Sequence, residues 1–340
     1  MIQAANRHVR IVSTGHYLPP QVVPSTEIDQ RLGLSPGSSA RASGVERRHF
    51  VTDQSSAQMG AYAAMSALEN ASLRFEDLDL LVCASATFDQ PIPYNAALIQ
   101  RALGKENSGV ACFDVGSTCL SFVTALDTLS YLVDAGRYRR VMIVSSEIAS
   151  IGLNWKRGGV EACSLFGDGA VAVIIEKSSL LSGVSGGVIC GAHMETYSAG
   201  ADTCAIRGGG AILPSWKWTD SLYDEYRFSM NGKKVFRLVS EKIDGFMEKL
   251  LQSAGWTLED AALVIPHQAS YSAMELMRRR LGVPEGKWMC IIQNHGNMIA
   301  ASIPMALHLA ISENRLKRGD KLLLIGTSAG FSIGGLALEY

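Results

Sequence analysis

The sequence predicts an α/β protein assembled from two copies of one unit. The first observation behind this is an internal repeat. Ala67-Leu68-Glu69-Asn70-Ala71-Ser72 followed by Phe75-Glu76-Asp77-Leu78-Asp79-Leu80-Leu81-Val82 is echoed by Leu250-Leu251-Gln252-Ser253-Ala254-Gly255 followed by Leu258-Glu259-Asp260-Ala261-Ala262-Leu263-Val264-Ile265. Each copy reads as the end of a helix, a turn carrying a Glu-Asp pair, and a buried strand. The second observation is that helical periodicity alternates with nearly continuous apolar strands, which implies sheets covered on both faces. The third is size: 340 residues, 47% hydrophobic, are enough for two core-bearing units.

The elements follow in order. Gly109-Val110-Ala111-Cys112-Phe113 reads as a strand. Leu120, Phe122, Val123, Leu126, Leu129, Leu132 and Val133 give a helix over Phe122 to Ala135. Gly136-Arg137-Tyr138-Arg139-Arg140 then turns into strand Val141 to Ser145, and Gly169 to Glu176 closes the half. The second half repeats this with helix Ile303 to Glu313, a turn from Arg315 to Asp320, strand Lys321 to Ile325, and closing β sequence Gly330 to Tyr340. The halves are expected at 1–178 and 179–340, with no low-complexity linker and hence as one rigid body. Glu195 to Asp224, rich in Gly, Ser and Trp without period, is expected to be an insertion or cap near 195–224.

A formal net charge of −1 gives no reason to expect nucleic acid. No apolar run approaches the ~20 residues of a membrane helix. Met1 to Arg10 is not followed by an apolar stretch of signal-peptide type. A cytoplasmic protein without a membrane partner is expected. Seven scattered cysteines without CxxC argue against a disulfide framework or a zinc site, so no metal is expected. Cys112, in its strand, reads as a small structural hydrophobe.

Cys119 differs. Small residues lead up to it in Phe113-Asp114-Val115-Gly116-Ser117-Thr118-Cys119, and the helix follows directly. A sulfur near a helix N-terminus is favoured as thiolate. His267 follows the apolar strand Leu263-Val264-Ile265 and Pro266, and strand C-termini are where α/β sites cluster. Asn297 lies in Asn294-His295-Gly296-Asn297, just before a helix, where the sequence also supports an N-cap or turn role and His295 competes with it. A Cys with a His and an Asn is equipment for acyl transfer through a thioester. Gly326-Thr327-Ser328-Ala329-Gly330 matches the G-x-S-x-G elbow, but only ten residues follow Gly330, they read as a strand, and none is Asp or His, so a Ser hydrolase is rejected. Arg207-Gly208-Gly209-Gly210 lacks the Lys-Ser/Thr of a phosphate loop.

These segments, with Gly15-His16-Tyr17-Leu18-Pro19-Pro20, Gly44-Val45-Glu46-Arg47-Arg48, Leu165-Phe166-Gly167-Asp168-Gly169-Ala170 and Gly330-Phe331-Ser332-Ile333-Gly334 in the same order, resemble the ketoacyl synthase III branch of the thiolase-like condensing enzymes over nearly the whole chain. The resemblance implies a thiolase-like fold, two duplicated halves packed as a layered αβαβα sandwich. It implies that Cys119 is the nucleophile, that His267 and Asn297 stabilise an enolate, and that His295 is structural. It places backbone N–H groups of Cys119 and Ala329 in an oxyanion hole. It implies a homodimer, in which the loop carrying Ile92 crosses to the partner subunit. It implies docking of an acidic acyl carrier protein on Lys233, Lys234, Arg237, Arg278, Arg279 and Arg280. Apolar residues Phe88, Ile92, Leu165, Phe166 and Met298 suggest the acyl pocket. No cofactor is expected beyond acyl-CoA or acyl-carrier thioesters and a malonyl-carrier acceptor.

The chain departs from the family pattern in places. The positions of a CoA-stacking Trp, a phosphate-binding Arg and a CoA-contacting Asn fall on Ser38, Ala42 and Ser270. The usual Gly after the cysteine is Ser121, the usual Thr-Ser after Asn297 is Met298-Ile299, and the oxyanion Gly is Ala329. Ile92 falls near where head-to-head condensing enzymes carry a catalytic Glu, which disfavours non-decarboxylative condensation. The expected function is decarboxylative condensation to a 3-ketoacyl product. The alternatives are acyl transfer from Cys119 to a non-malonyl acceptor, and a non-catalytic dimer subunit, which the presence of all three residues disfavours.

Overall fold

A computed structural model describes residues 6–156, 159–178 and 187–340. The expected boundary between halves abuts 179–186, outside the described residues. In the first half the strands are β1 (Val9–Tyr17), β2 (Gln21–Pro24), β3 (Arg47–Phe50), β4 (Leu80–Cys83), β5 (Ala111–Asp114), β6 (Arg140–Glu147) and β7 (Gly169–Lys177). Its helices are α1 (Ser25–Leu32), α2 (Ser38–Ser43), α3 (Ser56–Ala71), α4 (Asn95–Ala102), α5 (Ser121–Asp134) and α6 (Val160–Leu165). The second half has β8 (Val188–Thr196), β9 (Cys204–Ala205), β10 (Ser229–Met230), β11 (Leu263–Pro266), β12 (Lys321–Ser328) and β13 (Ser332–Glu339). Its helices are α7 (Gly232–Ala254), α8 (Tyr271–Leu281), α9 (Ile292–His295) and α10 (Ser302–Ser312).

The repeat is a fold repeat. One sheet runs β1-β7-β6-β4-β5 and the other β8-β13-β12-β11, the same order without its last strand. A single parallel bridge between Val264 and Trp288 stands where that strand would be. The echoed Glu-Asp turns fold alike because their aspartates cap them. Asp77 Oδ2 accepts from the Arg74 N–H at 2.9 Å, and Asp260 Oδ2 accepts from the Thr257 N–H at 2.8 Å. Each turn then enters a buried strand, β4 or β11.

Three apolar cores set the layers. The central one joins α5 and α10 to facing sides of both sheets, through Leu126, Leu129, Met305 and Leu307 against Val82, Val173, Ile265 and Leu336. A second packs α7 and α8 on the far side of the β11–β12–β13 sheet. A third packs α3 and α4 on the far side of the other. This is the expected αβαβα layering. No helix among the described residues is long and apolar enough to cross a membrane. The segment expected as a cap begins on the last two residues of β8 and continues through 3-10 turns (Ser198–Thr203, Ser215–Lys217, and Asp220–Tyr226 at its end) and the two-residue strand β9, which pairs with β10 just beyond it.

Candidate active site

Cys119 lies on the 3-10 turn Thr118–Leu120 that leads into α5. Thr118 adopts φ +47°, in the left-handed region, which breaks the extended path from β5 and turns the chain into the helix. The turn is pinned by Ser121, whose Oγ accepts from the Ser117 N–H at 2.8 Å and donates to the Thr118 carbonyl at 2.7 Å. Thr118 Oγ1 in turn donates to the Ala329 carbonyl at 3.2 Å, tying the cysteine turn to the β12–β13 corner. The sulfur lies against the backbone N–H groups of Ala329 and of its own residue. That is the donor pair named from the sequence. The Gly326–Gly330 motif forms this antiparallel corner, with no helix after Ser328, so its serine is not on a nucleophile elbow.

The thiolate expected from the helix N-terminus is not what the structure shows. Burial pushes the Cys119 thiol up to about 12, and the carboxyl of Glu147 adds to the rise. Desolvation of the sulfur, on a residue that is half-buried as a whole, outweighs the backbone N–H groups of Ala329 and Cys119, which lower the pKa.

His267 caps the end of β11. Its N–H donates to the Ile325 carbonyl at 2.8 Å, extending the ladder with β12 by one residue. The ring is buried, its Nδ1 has no partner among the described residues, and burial lowers its pKa to about 4, so the imidazole is neutral. Gly326 separates His267 from the cysteine turn. A Cβ at Gly326 would sit 3.0 Å from His267 Cβ and 3.1 Å from Leu120 Cδ2, so only glycine lets the two approach without displacement.

Asn297 reaches the same place from the loop before α10. Its Nδ2 donates to the Ala269 carbonyl at 3.4 Å, two residues beyond His267. Its Oδ1 accepts from the Ile299 N–H at 2.9 Å, the turn-asparagine role that the sequence also allowed. The backbone of Asn297 is bridged to Phe166, with Asn297 N–H donating to the Leu165 carbonyl at 2.9 Å. His295 is partly buried, without a partner for Nδ1 among the described residues, and burial lowers its pKa to about 4.

Sequence reasoning missed Glu147. It ends β6 wholly buried, and its carboxyl accepts from the Ala86 N–H at 2.7 Å, the Thr87 N–H at 2.9 Å and Thr87 Oγ1 at 2.7 Å. Burial raises its pKa to about 8 despite these donors and a further backbone bond from Ala300. An acid closing an apolar strand run at its C-terminal end was the available signal. Asp168, from the quoted Leu165–Ala170 motif, is also buried. It ties β3 to the Ala149–Gly152 turn through the Val51 N–H and Ser150.

A cavity of about 640 Å³ opens beside His267, between α7 and α8, with Thr327, Ser270, Leu165 and Ala42 among its lining. Ser270, at the position of the family's CoA-contacting Asn, caps α8 by accepting from the Ala273 N–H at 3.3 Å. The residues suggested as an acyl pocket do not form one group. Leu165, Phe166 and Met298 are buried, whereas Phe88 and Ile92 are exposed on the loop before α4, Ile92 by 84%. Of the basic residues, Arg278 and Arg279 pair with Glu275 and Arg280 pairs with Asp244 of α7. Arg237 lies 3.8 Å from Glu241. Lys233 and Lys234 are exposed in the first turn of α7, with no ion pair among the described residues.

Two family models match this chain. One described as 3-oxoacyl-[acyl-carrier-protein (ACP)] synthase III covers residues 113–198, and its C-terminal counterpart covers 251–340. The chain is 31% identical to the beta-ketoacyl-[acyl-carrier-protein] synthase III of Vesicomyosocius okutanii, over 98% of this chain and 100% of that one. It is 32% identical to the protein of that name from Cereibacter sphaeroides, over 96% and 97%. It superposes on the crystal structure of 3-oxoacyl-[acyl-carrier-protein] synthase III from Aquifex aeolicus with a TM-score of 0.85 at 29% identity, covering 98% of this chain and 100% of that one.

Proposed function

The chain belongs to the 3-oxoacyl-[acyl-carrier-protein] synthase III family, and from that premise we propose that it condenses an acyl thioester with a malonyl thioester, using Cys119, His267 and Asn297. One observation carries this reading. The turn bearing Cys119, the end of β11 bearing His267 and the loop bearing Asn297 converge around Gly326 and Ala269, and of the three only His267 lines the cavity, together with Gly326 and Ala269.

In the first step Cys119 Sγ attacks the thioester carbonyl. The N–H groups of Ala329 and Cys119, which face the sulfur at rest, receive the developing oxyanion. The carbonyl–carrier C–S bond breaks, and the thiol proton ends on the departing carrier sulfur. In the second step the malonyl carboxylate leaves as CO₂, and its electron pair becomes an enolate. His267 as a neutral N–H donor and Asn297 Nδ2 stabilise that charge. The carbanion attacks the acyl–Cys119 carbonyl, a C–C bond forms, the C–S bond breaks, and the released Cys119 sulfur takes one proton from solvent to restore the thiol. A neutral imidazole suits this role because it donates without titrating near pH 7.

The working unit is a homodimer. β5 is an edge strand of the first sheet, and Tyr94 and Asn95, at the end of the loop with exposed Phe88 and Ile92, bond to Cys112 and Asp114 of that strand. An unpaired edge flanked by exposed apolar groups supports pairing with a second copy. The carrier docks near Lys233 and Lys234, the basic residues left free by the pairing on α8.

The test is incubation with acyl thioesters of graded length and malonyl-carrier. A 3-oxoacyl product with matching CO₂ release supports the reading. No decarboxylation with any donor contradicts it, and an acyl product without CO₂ would indicate another acceptor.

A further inference from the structure

Glu147 is wholly buried and takes no part in the two steps above. Its hydrogen-bond partners among the described residues are uncharged donors from two distant stretches of chain. Oε1 accepts from the Ala86 N–H, and Oε2 accepts from the Thr87 N–H and hydroxyl, all in the first half. The remaining donor is the backbone N–H of Ala300, in the second half. A buried carboxyl that collects donors in this way fixes the backbone that carries them.

Ala300 is the middle residue of the turn Ile299–Ala301, and the end of β6 packs against that turn. The turn needs holding. Ile299 is β-branched and stands at φ +47°, where such a residue is strained. The turn also carries the Asn297 side chain, because the Ile299 N–H donates to Asn297 Oδ1 at 2.9 Å. The other ties of that amide are long: Nδ2 to the Ala269 carbonyl at 3.4 Å and Oδ1 to Ser302 Oγ at 3.5 Å. The place of Ala300 therefore decides where Asn297 Nδ2 points. The turn bearing Cys119 packs against the same turn. It is tied to the second half by Thr118 Oγ1, which donates to the Ala329 carbonyl. Each half thus fixes the turn of the other.

We propose that Glu147 is a positioning residue for decarboxylation: it holds the Ala300 N–H, so that the strained turn keeps the Asn297 amide aimed at the enolate oxygen. The inference rests on the condensation reading above. It gives Glu147 no contact with substrate.

The test compares Glu147→Gln with wild type in two ways. A glutamine keeps one acceptor oxygen and turns an NH₂ group toward the other donors. In protein made with isotope-labelled asparagine, the side-chain amide signals of Asn297 are assigned by their loss in Asn297→Ala. Glu147→Gln should shift or broaden them and leave those of Asn154 and Asn231 in place. Movement of all three would show general loosening and overturn the positioning role. In the reaction, Glu147→Gln should lower kcat for malonyl decarboxylation roughly tenfold or more with KM unchanged. Added to Asn297→Ala, it should cost nothing further. Unmoved Asn297 signals, or losses that multiply in the double variant, overturn the proposal. If Glu147→Gln does not fold, Thr87→Val, which removes one donor from the carboxyl, takes its place with the same outcomes. A wild type that never decarboxylates a malonyl thioester would count against the condensation reading. The asparagine signals need no turnover and would still decide whether Glu147 holds Asn297.

Discussion

Cys119 and Ala300 occupy matching positions in the two halves of the molecule. Each is the middle residue of a 3-10 turn that opens a central-layer helix, α5 or α10. The residues before them, Thr118 and Ile299, share φ +47°. The Ser117 N–H donates to Ser121 Oγ at 2.8 Å, and the Met298 N–H donates to Ser302 Oγ at 3.0 Å. The strand ends correspond too. Ala84 continues β4 by donating to the Val144 carbonyl, as His267 continues β11 by donating to that of Ile325. One half thus presents a sulfur where the other has a methyl, and the other presents an imidazole where the first has a methyl. A single site formed from both halves is the result.

That division of labour predicts separable defects. His267→Ala and Asn297→Ala should each lower malonyl decarboxylation roughly a hundred- to thousandfold. Cys119 should still gain acyl mass in both. Parallel assays of CO₂ release and intact mass check this.

Buried histidines predict a pH dependence with a definite sign. His267, His295 and His308 are each lowered to about 4, below the ordinary 6.5. Between those values the unfolded chain binds more protons than the folded one. Stability present above about 6.5 should therefore be lost as pH falls toward about 4. Glu147, raised to about 8, acts oppositely, and its contribution weakens as pH rises through that value. Urea midpoints across this range test both limbs.

Glu147 also sets the chemistry of the sulfur. Above its pKa of about 8 it is an anion that opposes the Cys119 thiolate. Glu147→Gln removes that charge and keeps one of the two acceptor oxygens, which serve Ala86 and Thr87 separately. Iodoacetamide should alkylate Cys119 faster in this variant than in wild type on the alkaline side of that value. Equal rates would mean that burial alone holds the thiol.

Gly296 fixes the approach of Asn297. It sits at φ +67°, and a Cβ there would lie 2.7 Å from the Leu165 carbonyl oxygen. Gly296→Ala should cost about 1 kcal/mol or more in unfolding free energy, since alanine resists that conformation. It should also slow decarboxylation by displacing the Asn297 amide. Denaturant titration with a turnover assay measures the two together.

Much of this was legible along the chain because it is local. The aspartates of the two turns, Asp77 and Asp260, cap residues three positions away, so their repeat survives as a readable string. Cys119, His267 and Asn297 stand at strand ends and helix starts that periodicity locates. What escaped is non-local. Glu147 is satisfied by Ala86 and Thr87 some 60 positions earlier. The high proton affinity of Cys119 arises from burial of its sulfur and from the carboxyl of Glu147, 28 positions later in the chain. The α7–α8 cavity is walled by residues from eight separate elements (α2, α6, β10, α7, β11, α8, β12 and β13) and the Trp288 segment, which no window of sequence brings together.

The most direct test of the whole account is the intact mass of the protein after exposure to acyl-CoA and acyl-carrier donors, for wild type and Cys119→Ala. The account predicts one acyl group per chain on the wild type and none on the variant. An unmodified wild type with every donor, or equal labelling of both proteins, would contradict it.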